Sequence, residues 1–198
     1  AHRIVDAVAA HAFALFDLCD SFLRCEVVGY PRRGEKAAVG QGAKLHFRVF
    51  VGPEQAEVLA DVSILVLSVP CQAMRGTLRR LAGVVPPDCV LVNTAKGIEV
   101  VTVERMVREE LPGFVDRYAV LSGPSFALEV ATCKPTAVVL GCRDERLGAR
   151  LREVFATPWF RSYSSTDVPG VELGGAIKNV IAIAVGLSYG LGFGDNTA

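Results

Sequence analysis

The chain has 198 residues, 51% of them hydrophobic, which is enough for one full domain with its own core and part of a second. Its 21 basic and 21 acidic residues cancel and are interspersed, so the charge pattern excludes the footprint of a nucleic-acid-binding or membrane-surface protein. Six scattered cysteines and the isolated His2, His11 and His46 have no metal-ligand spacing; buried thiols in a reducing, cytoplasmic compartment are expected.

At the amino end, "AHRIVDAVAA" joins a basic residue to an apolar stretch, but Asp6 and His11 interrupt the apolar core that a secretion signal needs. Further on, "SILVLSVP" (63–70), "CVLVNT" (89–94), "YAVLSG" (118–123) and "TAVVLG" (136–141) are short, β-branched and continuously apolar. Such runs predict strands buried on both faces. The intervening "CQAMRGTLRRLAG" and "VTVERMVREELPG" predict helices closed by Gly or Pro-Gly. In "DERLGARLREVFATP", Leu147, Leu151, Val154 and Phe155 make one apolar stripe, Asp144 is the expected N-cap and Pro158 the stop; "FRSYSS" follows. Alternation of this kind predicts an α/β fold with a parallel sheet and helices on both faces.

Ligands of such sheets bind outside the carboxyl ends of the strands. That rule picks out Pro70 and Cys71, residues 94–97 and residues 122–127. Lys96 follows its strand at once and precedes Gly97, which suits a cation over a pocket as well as a solvated loop. "SGPSFALEV" turns at Gly123-Pro124 and opens a helix at Ser125, where free backbone N–H groups favour an anion.

From Val168 the pattern becomes one long helix of small residues, the expected entry to a second, helical domain. No run is expected to reach the length of a membrane span. Near its centre stands Lys178, whose neighbours three and four positions away are Gly174, Gly175, Ile181 and Ala182, while Glu172 lies on another face. Burying an unpaired ammonium costs several kcal/mol, so the head must reach water by snorkelling, or a partner, or a ligand.

Lys96 in "NTAKGIE", the turn "SGPSFALEVA", "PTAVVL" and, above all, "GVELGGAIKNVIAIAVGLSYGLGFGDN" together resemble the NAD(P)-dependent glycerol-3-phosphate dehydrogenase family, from about Gly42 to the last residue. The resemblance implies a Rossmann-like, doubly wound, mostly parallel sheet over residues 1–167, followed over 168–198 by the first helix of an all-α domain. It implies interconversion of sn-glycerol 3-phosphate and dihydroxyacetone phosphate with NAD or NADP, a phosphorylated triose as substrate, and a homodimer. Carried over by matching position, Lys178 resembles the family's proton acceptor and Asn179 its neighbour. Lys96 looks like the residue touching both substrate and cofactor, Gly123 and Ser125 would line the substrate site, and Ala127 would lie against the cofactor. A lysine walled by Gly, Ala and Ile and facing a second lysine should have its pKa lowered by desolvation and like charge, which suits a general base.

Two features depart from that pattern. Counting back from "CEVVGYPRR" as the second strand sets Ala7, Ala9 and Ala12 where the family's dinucleotide loop has its three glycines, and each added methyl should weaken cofactor binding. Cys71 and Tyr189 stand where serine and aspartate are more usual in the family. Arg32 and Arg33 suit a 2′-phosphate, and with it NADP, as well as they suit a solvated loop. Two other readings follow from the residues: a catalytically impaired relative that binds or dimerises, and a β-hydroxyacid dehydrogenase with another small substrate.

Overall fold

The computed structural model describes residues 27–30, 48–49, 59 and 62–197. The expectations for Ala7, Ala9, Ala12 and Arg32, and for the three histidines, fall outside the described residues. Seven strands make one sheet: β1 (Val27–Tyr30), β2 (Arg48–Val49), β3 (Ile64–Leu67), β4 (Val90–Asn93), β5 (Tyr118–Ser122), β6 (Thr136–Cys142) and β7 (Phe160–Ser165), in the order β2-β1-β3-β4-β5-β6-β7. The helices are α1 (Cys71–Leu81), α2 (Val103–Glu110), α3 (Ala127–Ala131), α4 (Glu145–Phe155) and α5 (Val168–Gly190), with a 3-10 turn at Pro112–Arg117 after α2.

The continuously apolar strands are buried on both faces because their side chains alternate between two cores. Leu65, Leu67, Leu91, Tyr118 and Val120 point to one face, where Met74, Leu78 and Leu81 of α1, Met106 and Val107 of α2 and Val168 of α5 cover them. Val66, Val92, Ala119 and Leu121 point to the other, against Leu151 and Phe155 of α4. Helices on both faces make the architecture doubly wound and Rossmann-like, as the sequence predicts.

Local signals set the helix ends. Asp144 caps α4, accepting from the N–H groups of Arg146 at 2.8 Å and Leu147 at 3.3 Å. Asp167 caps α5 through Gly170 N–H at 2.9 Å, with Pro169 in the first turn, where its missing N–H costs nothing.

The sheet is more mixed than the alternation predicts. β3, β4 and β5 are parallel, and β6 and β7 are parallel to each other, but β6 runs against β5, and β1 against β3. Between β5 and β6 the connection holds only the five-residue α3, a shorter helix than a parallel crossover usually uses.

One expectation is overturned at α5. Val168–Gly190 is long and apolar enough to cross a membrane by length and composition. Its amino-terminal part is nonetheless docked on the sheet, where Val168 and Glu172 are buried. Beyond that part its apolar residues face outward, among them Val180 (67% exposed), Ile183 (64%) and Leu187 (62%).

Candidate active site at the carboxyl rim of the sheet

Because β3, β4 and β5 are neighbouring parallel strands, the segments leaving their carboxyl ends share one rim. Lys96, three residues past β4, is half-buried there. Gly97 follows at φ 111°, a conformation that side chains other than hydrogen avoid, so the chain can turn sharply past the lysine. The turn is held from beneath: Asn93 Oδ1 accepts from Ala95 N–H at 2.9 Å, Thr94 N–H donates to Leu67 O at 3.0 Å, and the Ser68 and Thr94 hydroxyls meet at 2.7 Å. β3 and β4 are thereby tied together just below the site.

Past β5, Gly123 lies against β6 so tightly that a Cβ would come within 2.9 Å of Val138 Cα and 3.0 Å of Ala137 O, both backbone atoms. Only glycine fits. Ser125 is buried and turns back on Gly123 O, donating its N–H at 2.9 Å and its hydroxyl at 3.4 Å. Ala127 opens α3 two residues later.

α5 reaches this rim from the opposite end of the sheet. Val171 packs beside Gly141 and Val120, and four residues later the Gly175 backbone meets Ser122, where a Cβ would lie 2.5 Å from the hydroxyl oxygen. The helix therefore runs along β5 toward its carboxyl end, and Lys178 stands three residues, about 4.5 Å of helix rise, past Ser122. Lys96, Gly123, Ser125, Lys178 and Asn179 are thus gathered at one end of the sheet, although they come from three separate segments.

The surroundings of Lys178 differ from the expected apolar wall. The lysine is exposed, its flanking Ile177 (45%) and Ile181 (54%) are exposed too, and its Nζ donates to Asn179 Oδ1 at 2.9 Å. The greasy residues around it face outward because nothing among the described residues packs on that length of α5.

Sequence reasoning passed over a buried polar cluster at the foot of α5. The Glu172 carboxylate accepts from the Tyr118 hydroxyl and, through both oxygens, from Glu104 N–H at 3.1 and 3.3 Å, so it caps the amino end of α2 from another helix. Burial, the first cause, pushes the Glu172 carboxyl up, and the Glu104 charge adds to the shift; the Tyr118 and Glu104 N–H hydrogen bonds oppose it. Glu104 in turn holds Arg143 at 2.8 Å and Arg108 at 3.3 Å. The signal in the sequence was there: an acid in an otherwise apolar helix, six residues and hence another face from Lys178.

Cys71, at the start of α1, is buried; burial, then the Glu172 and Glu99 charges, push its thiol up, which argues against a nucleophile there. Cys89 and Cys142 are buried thiols as expected, while Cys133 is exposed.

Comparison with known proteins agrees with this geometry. Residues 32–148 match the family model described as the NAD-dependent glycerol-3-phosphate dehydrogenase N-terminus, and residues 167–198 match that of its C-terminus. A glycerol-3-phosphate dehydrogenase (NAD(P)+) of Lawsonia intracellularis is 63% identical over 151 residues, covering 75% of this chain and 42% of the relative. One from Nitratidesulfovibrio vulgaris is 54% identical over 173 residues, covering 86% and 52%. The chain thus spans about half the length of these curated relatives. Among solved structures, the glycerol-3-phosphate dehydrogenase of Coxiella burnetii superposes with a TM-score of 0.62 at 33% identity, covering 72% of this chain and 44% of that one. With both family models matched in chain order, and the first alone spanning more than half of its length, the chain belongs to the NAD-dependent glycerol-3-phosphate dehydrogenase family.

Proposed function

We propose that the chain is the dinucleotide-binding part, over residues 1–167, and the opening of the helical substrate domain, over 168–198, of an enzyme that interconverts sn-glycerol 3-phosphate and dihydroxyacetone phosphate. The observation that carries this reading is the course of α5, which brings Lys178 to the same rim as Lys96 and Ser125. Fit to a nicotinamide dinucleotide is supported by the rim itself, where three parallel strands end, Gly97 lets the chain turn sharply, and Lys96 supplies positive charge. A bound NAD or NADP would supply the hydride acceptor for oxidation of the substrate's secondary carbinol carbon, and the hydride donor for the reverse direction.

Lys178 Nζ takes the hydroxyl proton as the carbon is oxidised, and Asn179 Oδ1, already its hydrogen-bond acceptor, aims it. Lys96 faces the negative charge of the phosphorylated triose, and Gly123 and Ser125 line the same rim. By matching position in the sequence, Ala7, Ala9, Ala12, Arg32 and Ala127 are the residues assigned to the cofactor. The wall that α5 lacks is supplied by the rest of the helical domain, packing on Val180, Ile183 and Leu187. A cytoplasmic homodimer completes the reading.

Lys178→Ala tests it: turnover falls by roughly 10²- to 10⁴-fold while NADH binding, followed by fluorescence, stays within twofold. Unchanged turnover removes the acid/base role. Alanine at the three loop positions favours a second reading, a non-catalytic relative. Absence of NADH and NADPH binding at millimolar concentration would establish it.

A further inference from the structure

Two catalytic lysines on different elements must be held in register, and one buried polar chain runs between the elements that carry them. Asn93, the last residue of β4, is 1% exposed. Its Oδ1 anchors the turn that leads to Lys96. Its Nδ2 has no hydrogen-bond partner among the described residues. It faces the hydroxyl of Tyr118 on neighbouring β5. The register explains this: Tyr118 pairs with Leu91, and Asn93 lies two residues on, hence on the same face. The Tyr118 hydroxyl donates to Glu172, the buried acid one and a half turns before Lys178, and Glu172 accepts from Glu104 N–H at the start of α2. The Asn93 amide, the Tyr118 phenol and the Glu172 carboxylate thus follow one another from β4 through β5 to α5.

We propose that Asn93, Tyr118 and Glu172 are positioning residues, a buried strut that fixes the Lys96 turn relative to the Lys178 helix. The proposal rests on the dehydrogenase reading for its purpose, but not for its existence. Buried polar groups placed in series favour one arrangement of the elements that carry them, whereas apolar contacts alone tolerate sliding. α5 is the case in need: most of its apolar residues beyond Gly175 are exposed, so its direction over the rim is set by its foot.

The test is reciprocal hydrogen exchange on the full chain. Asn93→Ala should accelerate exchange in residues 174–180 of α5, which it does not touch, and Glu172→Gln should accelerate exchange at residues 95–98. Tyr118→Phe, which keeps the ring and cuts the strut in its middle, should loosen both, and it stands in for either variant that fails to fold. In the same variants, kcat falls about 10- to 100-fold, as for a small misplacement of reacting groups, with the cofactor KM unchanged. Exchange that speeds up only next to each substitution, or Tyr118→Phe with wild-type kcat, overturns the strut. Lys178→Ala separates the two proposals: full activity there removes the dehydrogenase chemistry, while the exchange result still decides the strut.

Discussion

Glu172 is the residue at which burial and charge compete most directly. Facing it are Tyr118 from β5, Glu104 with Arg108 and Arg143 behind it, Thr102 before α2 and Cys71 from α1. Its carboxyl is raised, so the folded chain holds that proton more tightly than the unfolded one. The associated stability is complete below the unfolded value of about 4.3 and is lost as pH rises through the folded value. Glu109 and Glu110 act with the opposite sign, because hydrogen bonds from Arg75, Arg79 and Arg105 lower them, and their contribution is lost as pH falls. Subtracting the Glu172→Gln denaturation midpoints from wild type cancels these acids. The difference should decline as pH rises above about 4, and a flat difference would refute the burial argument.

Elements carry the next set of consequences, because each is placed by a few local groups. Removing the cap of α4 by Asp144→Ala leaves the Arg146 and Leu147 N–H groups without that acceptor and should cost about 1 kcal/mol in urea unfolding. Gly123→Ala acts differently. Its methyl meets backbone of β6 rather than a movable side chain, so the end of β5 and the start of β6 must part. Destabilisation of about 1–3 kcal/mol is expected from such overpacking, together with a weaker substrate KM, since Ser125 is hung from the same carbonyl. A variant of wild-type stability and KM would show that the contact relaxes freely.

For the whole molecule, the decisive feature is a helix half docked and half bare. Val180, Ile183 and Leu187 together present an apolar surface of the kind that soluble proteins cover. Residues 1–198 produced as an isolated polypeptide should therefore self-associate or bind a hydrophobic dye. Replacing Val180 and Ile183 with polar residues should reduce both, as measured by sedimentation and dye fluorescence. The long apolar helix also passes the length and composition test for a membrane span, yet its foot is hydrogen-bonded to α2 and β5 in the domain core. Lipid offers no such partners for Glu172.

Much of this was legible in order along the chain. Period and composition located the strands at 63–70, 89–94, 118–123 and 136–141, the capped helix after Asp144, and the segments 94–97 and 122–127 that end on one rim, because these properties depend on near neighbours in sequence. The family motifs marked Lys96 and Lys178 for the same reason. The reversal of β6, the exposure of Lys178 and the Asn93–Tyr118–Glu172 chain were decided only in three dimensions. The first and last of these join groups 17 to 79 positions apart in sequence, and no local pattern of hydrophobic and polar residues encodes which distant face a side chain will meet.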